Sequence, residues 1–276
     1  SSYLEKIGRI RAHLALEGAA GAVLSTPDNV FYATGFSSVM DGWHLVEPIA
    51  AVFVPTDAAS PVILILPEAS VISPIVSERG GHPVYFDRLA TFDMLNFCET
   101  ARAEDAHLAL PNDLLAELGD VMEQVEGQCE PDIIQTIAAC VSRHISKAER
   151  VVFDDLRVAA RVEALTGQAS GDALDVMFAA RAVKTAYELD TLRESGQIAD
   201  AIMAYTVSLL GVGKSWSEVE KQVAHFMIDH DVDPLPGSPM LFGGAYDLVF
   251  RPDLFRTPVS RPFEGGEIAI LETQGR

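Results

Sequence analysis

Two apolar runs near the start of the chain limit the folds that it can adopt. PIAAVFVP (48–55) and PVILILP (61–67) contain no polar side chain, and the short polar segment TDAAS (56–60) separates them. Apolar runs of this length, joined by a short turn, predict a hairpin or adjacent strands of one sheet. The earlier run GAVLS (21–25) predicts another buried strand. The first part of the chain therefore has to fold around a β-sheet.

Helical periodicity alternates with these strands. Leu4, Ile7, Ile10 and Leu14 recur at the spacing of one helix face, which predicts an N-terminal helix. Further helices are predicted around 68–79, around 91–102 and in a charged stretch from about 140 to 166, and further strands at PVYF (83–86) and HLALP (107–111). Strands that alternate with helices over the first ~160 residues predict an α/β domain with a mostly parallel or mixed sheet.

The second part of the chain begins after a stretch with the composition of a linker, GQASGD (167–172). We therefore predict two domains, 1–165 and 166–276. A long helix is expected over 180–211, and a capping box formed by Ser215 and Glu218 then begins another helix. Strand-like segments follow: SPMLFGG, YDLVF and, near the end, EIAILE.

Composition excludes several classes of partner. Asp and Glu number 40 against 20 Lys and Arg, a formal net charge of −20. Such a surface repels nucleic acid and anionic lipid, so neither partner is expected. No apolar run approaches the roughly 20 residues of a membrane helix. The three cysteines show no CxxC spacing, which predicts buried free thiols in a reducing compartment, the cytoplasm.

Two stretches, taken in order, resemble the creatinase and prolidase family. GAVLSTPDNVFYATGF (21–36) resembles the start of the family's N-terminal domain, with its Tyr-x-Thr-Gly segment. RAVKTAYELDTLRESGQIADAI (181–202) resembles the opening helix of the catalytic domain, and Gly266-Glu267 is similar to the Gly-Asp turn before a catalytic strand. The resemblance implies an α/β N-terminal domain of the creatinase type, followed by an α+β pita-bread domain that is incomplete in this chain.

The same resemblance implies a catalytic role for Glu272, the fifth residue after Glu267. In the metallopeptidases of the family this position is the first of several carboxylate ligands. The others lie further along, so the chain is expected to be part of a longer protein. Standard members use two Mn, Co or Zn ions; non-metal members use none.

Two departures from the family pattern bear on the chemistry. The metallopeptidases carry Asp where this chain has Glu272, and the family places a His on the loop before the strand, whereas no histidine follows His230. The loop instead contains Arg251 and Arg256, which suit recognition of a substrate carboxylate but not proton transfer. Ion pairs at the surface, with no functional role, are the other interpretation of these arginines.

The expected activity is hydrolysis of a C–N bond in an Xaa-Pro dipeptide or another small amide. A metal-free amidohydrolase similar to ectoine hydrolase and an inactive pita-bread binding module are the alternatives. Trp43 and His44 follow the Tyr-x-Thr-Gly segment, on a loop that in the family reaches a neighbouring subunit's active site; packing is the other interpretation. The resemblance therefore implies a homodimer with a small peptide or amide as substrate.

Overall fold

The chain forms two compact units. The computed structural model describes residues 2–38, 40–41, 47–94, 111–211, 213–235, 238–244, 260 and 262–275. The units are Ser1–Thr185 and Ala186–Arg276, whereas the sequence predicts a boundary between residues 165 and 166. The assignment of 1–165 and 166–276 to the two family domains stays a prediction.

A six-stranded mixed sheet forms the centre of the first unit. Its elements are α1 (Ser2–Leu16), β1 (Gly21–Leu24), α2 (Pro27–Thr34), β2 (Ala51–Pro55), β3 (Ile63–Pro67), a 3-10 turn (Glu68–Ser70), α3 (Ser73–Arg79), β4 (Arg88–Phe92), α4 (Asn112–Met122), α5 (Ile133–His144), β5 (Val151–Phe153), α6 (Leu156–Thr166), β6 (Ser170–Asp172) and α7 (Leu174–Ala182). The strand order is β4-β3-β2-β1-β5-β6. β2 is antiparallel to both of its neighbours, and the other three pairs are parallel. The predicted hairpin of two apolar runs is confirmed as β2 and β3.

Both faces of this sheet are buried, because helices cover each of them. Alternate side chains of each strand point to opposite faces. Val23 and Phe53 pack with α5 and α6 on one face. Leu24 and Val54 pack with α1, α2 and α7 on the other face. Strands that are covered on both sides have no polar alternation, which explains the continuous apolar runs in the sequence.

Four sequence predictions for the first unit are wrong. The helix predicted around 91–102 does not begin there, because Thr91 and Phe92 belong to β4; residues 95–102 lie outside the described residues. PVYF (83–86) is not a strand; the strand is β4, which pairs in parallel with β3. The stretch 140–166 is not uniformly helical, because Val151–Phe153 forms β5 between two helices. GQASGD (167–172) is not a linker, because Ser170–Asp172 forms the edge strand β6.

The long helix predicted over 180–211 is divided. α7 ends at Ala182 and α8 begins at Ala186. Arg9 of α1 donates a hydrogen bond to the backbone oxygen of Val183, which holds the end of α7 against α1. The α1–α7 contact therefore competes with continuation of the helix, a tertiary effect that helical periodicity does not report.

The cysteines differ from one another in exposure. Cys140 is buried, and burial raises the pKa of its thiol to about 12, so it stays protonated. Cys129 is exposed, contrary to the sequence prediction. Cys98 lies outside the described residues. No helix within the described ranges has the length and apolar character needed to cross a bilayer.

Asp154 joins the end of β5 to the beginning of α2. Its Oδ1 accepts hydrogen bonds from the backbone and hydroxyl of Ser25, at 2.8 and 3.2 Å. Its Oδ2 accepts from the backbone and hydroxyl of Thr26, at 3.1 and 2.6 Å, and from Asn29 Nδ2 at 2.9 Å. Asn29 Oδ1 in turn accepts from Arg181 of α7 at 3.1 Å. One carboxylate thus fixes β1, β5 and two helices relative to one another.

We expect Asp154→Asn to lower the free energy of unfolding by about 2–3 kcal/mol, measured by urea denaturation. An amide group in place of either oxygen would direct N–H donors at the donors of Ser25 or Thr26. The matched control is Asp172→Asn, which lies at the end of strand β6 and accepts one hydrogen bond, from Leu174 N at 2.8 Å. The control should cost less than about 1 kcal/mol. Equal losses in the two variants would contradict the role given to Asp154.

Gly35 ends α2 in the left-handed region, with φ of 78°, and its N–H donates to Phe31 O at 2.7 Å. A Cβ at this position would overlap the Tyr3 hydroxyl and lie 2.8 Å from the Pro83 backbone oxygen. This close approach of α1 and the segment before β4 explains the glycine of the Tyr-x-Thr-Gly segment.

Gly35→Ala should therefore lower the free energy of unfolding by about 2–4 kcal/mol. Gly8→Ala is the control, because Gly8 lies within α1 and a Cβ there would meet nothing within 4 Å. Alanine is preferred in helices, so the control should gain about 0.5–1 kcal/mol. Tolerance of Gly35→Ala in thermal unfolding would contradict the packing described here.

Candidate functional site

The second unit consists of two helices and a two-stranded sheet in the described residues. α8 (Ala186–Leu209) and α9 (Trp216–Ile228) precede β7 (Met240–Gly244) and β8 (Ile268–Glu272). The predicted capping box is confirmed at the start of α9, where Ser215 Oγ accepts from Glu218 N and Glu218 accepts from Ser215 N. The core of the unit contains Ile202, Trp216, Val219, Val223, Met227 and Leu241.

β8 carries Glu272 to the face of the sheet that points away from this core. Ala269 and Leu271 pack against the helical core. Because side chains alternate along a strand, Ile268, Ile270 and Glu272 occupy the opposite face. Ile268 is 50% exposed and Glu272 is exposed. Met240 lies directly across from Glu272 in the antiparallel register and shares its face. The predicted catalytic carboxylate thus lies at the end of an open, largely apolar face.

A short segment after β8 holds the Glu272 side chain. Glu272 Oε1 accepts a hydrogen bond from Gln274 Nε2 at 2.9 Å. Gln274 N donates to Ser238 Oγ at 2.7 Å, and its backbone oxygen accepts from Leu235 N at 3.0 Å. Gln274 is therefore fixed through its backbone while its amide orients the carboxylate. A carboxylate held in this way can accept a proton or bind a cation.

Glu220 of α9 supports the strand that pairs with β8. Its Oε1 accepts a hydrogen bond from Leu241 N at 3.0 Å, on the edge of β7 away from β8. Burial raises the pKa of this carboxyl group, and the hydrogen bond from Leu241 offsets part of that effect. The charged form of Glu220 is thus held at a cost in stability, in a position that fixes β7.

The other predicted site residues cannot be placed beside Glu272. Trp43, His44, Arg251 and Arg256 lie outside the described residues, so their roles stay predictions. Within the described ranges, no group of three or more His, Cys, Asp or Glu side chains is arranged to hold a metal ion. The described part of the chain therefore does not by itself form the two-metal site that the family resemblance implies.

The first unit contains a crevice that the sequence reasoning missed. It lies at the carboxyl ends of β1 and β5, beside Asp155 and Arg157. The signal was present: VVF followed by Asp154 and Asp155 is a short buried strand followed by a helix N-cap. The charged residues on either side favour a helix for the whole stretch when the sequence pattern alone is considered.

The architecture of this chain is found in solved structures of other proteins. No protein-family model matches the sequence, and no curated protein is significantly similar to it. Solved structures do match. The dipeptidase PepE from Mycobacterium ulcerans is 16% identical, with a TM-score of 0.62 over 99% of this chain and 60% of its own. A prolidase from Thermococcus sibiricus is 15% identical, with a TM-score of 0.61 over 99% and 62%. The chain has the prolidase fold.

An Xaa-Pro dipeptidase from Bacillus anthracis gives the same result, with 16% identity and a TM-score of 0.59 over 99% of this chain and 61% of its own. The predicted fold class, an α/β unit followed by part of an α+β pita-bread unit, is confirmed. The chain spans about three fifths of the length of the structures that it matches. At these identities the similarity establishes the fold, and the activity has to be argued from the site.

The raised pKa of Glu220 makes stability depend on pH. Between its unfolded and folded pKa values the folded chain binds more protons, so the free energy of unfolding falls as the pH rises through that interval. Glu220→Gln removes the charge and keeps an oxygen for Leu241 N. We expect the variant to be more stable than the unaltered chain at pH 7, with the difference shrinking below about pH 4.

Urea denaturation at both pH values checks this expectation. Glu194→Gln, at an exposed position of α8, is the control and should show no such pH-dependent difference. A Glu220→Gln variant that is less stable than the unaltered chain at pH 7 would contradict it.

Proposed function

We propose that this chain belongs to a hydrolase that cleaves a C–N bond in an Xaa-Pro dipeptide or another small amide. The observation that carries the proposal is the position of Glu272, at the end of β8 on the open face of the second unit. The family resemblance assigns the first catalytic carboxylate to this position. The matching solved structures are described as prolidases and dipeptidases, which supports the substrate class.

The surroundings of Glu272 suit a general base. Ile268, Ile270 and Met240 share its face, so a substrate bound there would shield the carboxylate from water. A carboxylate within hydrogen-bond reach of a water molecule can accept a proton from it as the water attacks the amide. The water oxygen bonds to the amide carbon, the C–N bond breaks, and the proton passes to the departing nitrogen. Gln274 keeps the carboxylate oriented during these transfers.

The metal requirement of the standard family members is a separate matter. Bound metal ions would supply a hydroxide nucleophile at neutral pH. Glu272 would be one ligand, and the remaining donors would have to come from outside the described residues. Glutamate is longer than aspartate by one C–C bond, about 1.5 Å, whereas metal–ligand distances tolerate only ~0.2 Å.

That mismatch favours a second candidate function, a metal-free small-molecule amidohydrolase. The specific observations are Glu272 in place of Asp and the absence of a histidine between His230 and Glu272. In this case Glu272 acts as a base without metal assistance. The two candidates share the same reacting carboxylate and differ in substrate size and in metal content.

The expected partners follow from the same proposal. A homodimer would let the loop with Trp43 and His44 contact substrate in a neighbouring subunit, and Arg251 or Arg256 would bind a substrate carboxylate. The formal net charge of −20 supports a small substrate rather than nucleic acid or an anionic membrane.

The test compares Glu272→Gln with Glu264→Gln in the full-length protein, purified without chelator. Glu264 is an exposed glutamate in the turn before β8 and is the matched control. Turnover is measured on Xaa-Pro dipeptides and on a panel of small amides. Glu272→Gln should lower kcat/KM by about 100-fold or more, since it removes a general base. The control should stay within about twofold of the unaltered protein.

Elemental mass spectrometry of the same samples separates the two candidates. About two transition-metal ions per chain, with dipeptide turnover, support the peptidase. Turnover of small amides without metal supports the amidohydrolase. Full activity in Glu272→Gln contradicts both, and absence of turnover on either panel favours an inactive binding module.

A further inference from the structure

The two edges of the six-stranded sheet differ in how the chain covers them. At the β4 edge, Leu89 N donates to Gln124 O at 3.0 Å, and Glu130 N donates to Thr91 O at 3.1 Å, so the segment 124–130 pairs with this edge. β6 forms the opposite edge. Among the described residues, none hydrogen-bonds to the outer backbone groups of β6. An edge strand with free backbone groups can accept another strand.

The outer backbone groups of β6 belong to Ser170 and Asp172. β5 bonds to the inner side of β6 through Ala169 O and Ala173 N. Successive residues of a strand direct their backbone groups to opposite sides, so the N–H and C=O of Ser170 and Asp172 point away from β5. β6 therefore offers two donors and two acceptors, which a strand segment of three residues would satisfy.

A positive charge lies beside this strand on one face of the sheet. Arg150 Nη1 lies 3.4 Å from the place that a Cβ on Gly171 would occupy. Arg150 Nη2 donates a hydrogen bond to the backbone oxygen of Glu17. In the part of the chain that the structure describes, Arg150 forms no ion pair with a carboxylate. Its charge is therefore available to an acidic group that approaches Gly171.

Two negative charges lie beside the strand on the other face. Ser170 and Asp172 share this face, because side chains alternate along a strand. Glu163 of α6 accepts a hydrogen bond from Ser170 Oγ, and Asp172 accepts one from Leu174 N at 2.8 Å. Both donors are neutral, and no cation of the described ranges pairs with either carboxylate. The open edge thus has unmatched charges of opposite sign on its two faces.

A second copy of β6 does not fit this pattern of charges. Antiparallel pairing about Gly171 would bring the Arg150 side chains of the two copies towards each other on one face. On the other face it would place Asp172 of one copy opposite Ser170 of the other, next to Glu163. Like charges at neighbouring positions of paired strands are destabilising. The occupant has to carry the complementary pattern.

We propose that β6 binds an extended segment of another protein as an added strand, with an acidic residue between two basic residues. Residues directly opposite each other in paired strands point to the same face. The acidic residue lies opposite Gly171 and pairs with Arg150. The basic residues lie opposite Ser170 and Asp172, where they meet the carboxylates of Glu163 and Asp172. This surface contains no residue assigned to the hydrolase reaction, so its failure and the failure of the proposed hydrolase are separate outcomes.

The test compares three blocked peptides in NMR titrations of the full-length protein, with the backbone amides of Ser170 and Asp172 as the readout. The first is Thr-Val-Lys-Glu-Lys-Val-Thr, which should saturate with a Kd of about 1 mM. The second, Thr-Val-Glu-Lys-Lys-Val-Thr, has the same composition and net charge. It should bind about three- to tenfold more weakly, because its central lysine faces Arg150. The third is the first peptide with N-methyl groups on its three charged residues, and it should give no saturable shift.

Two variants test the charge pattern, and a third is the control. Arg150→Glu should reverse the preference between the first two peptides, since the central position then favours lysine. Asp172→Asn keeps an oxygen for Leu174 N and should weaken binding of the first peptide about two- to fivefold. Lys221→Gln, at an exposed position of α9, should leave the Kd unchanged.

Equal affinity for the first two peptides, saturable binding of the N-methylated peptide, or no saturable shift with any peptide overturns the proposal. Protection of the Ser170 and Asp172 amides that grows with protein concentration alone overturns it too, since a second copy would then be the occupant. The three peptides on the unaltered protein decide the matter if Arg150→Glu does not fold.

Discussion

One carboxylate, Asp154, joins the end of β5 to the first turn of α2, and much of the first unit follows from that link. β1 and β5 are short parallel strands whose connections lead to opposite edges of the sheet. Five donors converge on Asp154, which makes the carboxyl edge of these strands rigid. The same contacts use the anion-binding capacity of α2 within the protein. The neighbouring crevice is lined by the apolar side chains of Val30, Phe36 and Ile49, with the Asp155–Arg157 ion pair beside it.

Local chemistry was enough to predict some elements of the fold. The hairpin of β2 and β3 follows from two uninterrupted apolar runs, and the start of α9 follows from the Ser215 and Glu218 capping box. The predictions failed where a distant contact decides the outcome. β4 begins at Arg88. Its register with β3 is set just before that strand, where Val62 O accepts hydrogen bonds from Asp87 N and Arg88 N. No pattern within residues 83–92 reports that pairing.

The same division applies to the candidate site: its local strand was predictable from the sequence, and its distant contacts were not. The position of Glu272 on a strand followed from the strand-like segment EIAILE, and β8 confirms the strand. The face on which Glu272 lies depends on the packing of Ala269 and Leu271 against α8 and α9, which the sequence does not determine. Glu220 had no distinguishing pattern, because its partner is the backbone N–H of Leu241 on another element. Gln274 had none either, because its backbone is held by the hydroxyl of Ser238, which is distant in sequence. The catalytic role of Glu272 itself stays a proposal that its geometry supports.

The most direct test is a crystal structure of the full-length protein with a hydrolysis-resistant analogue of an Xaa-Pro dipeptide or small amide. The account predicts that the group replacing the scissile bond, or the water beside it, lies within about 3.5 Å of the Glu272 carboxylate. The aliphatic part of the ligand should cover the face formed by Ile268 and Ile270. A ligand bound elsewhere, with Glu272 still in bulk solvent, would contradict the account.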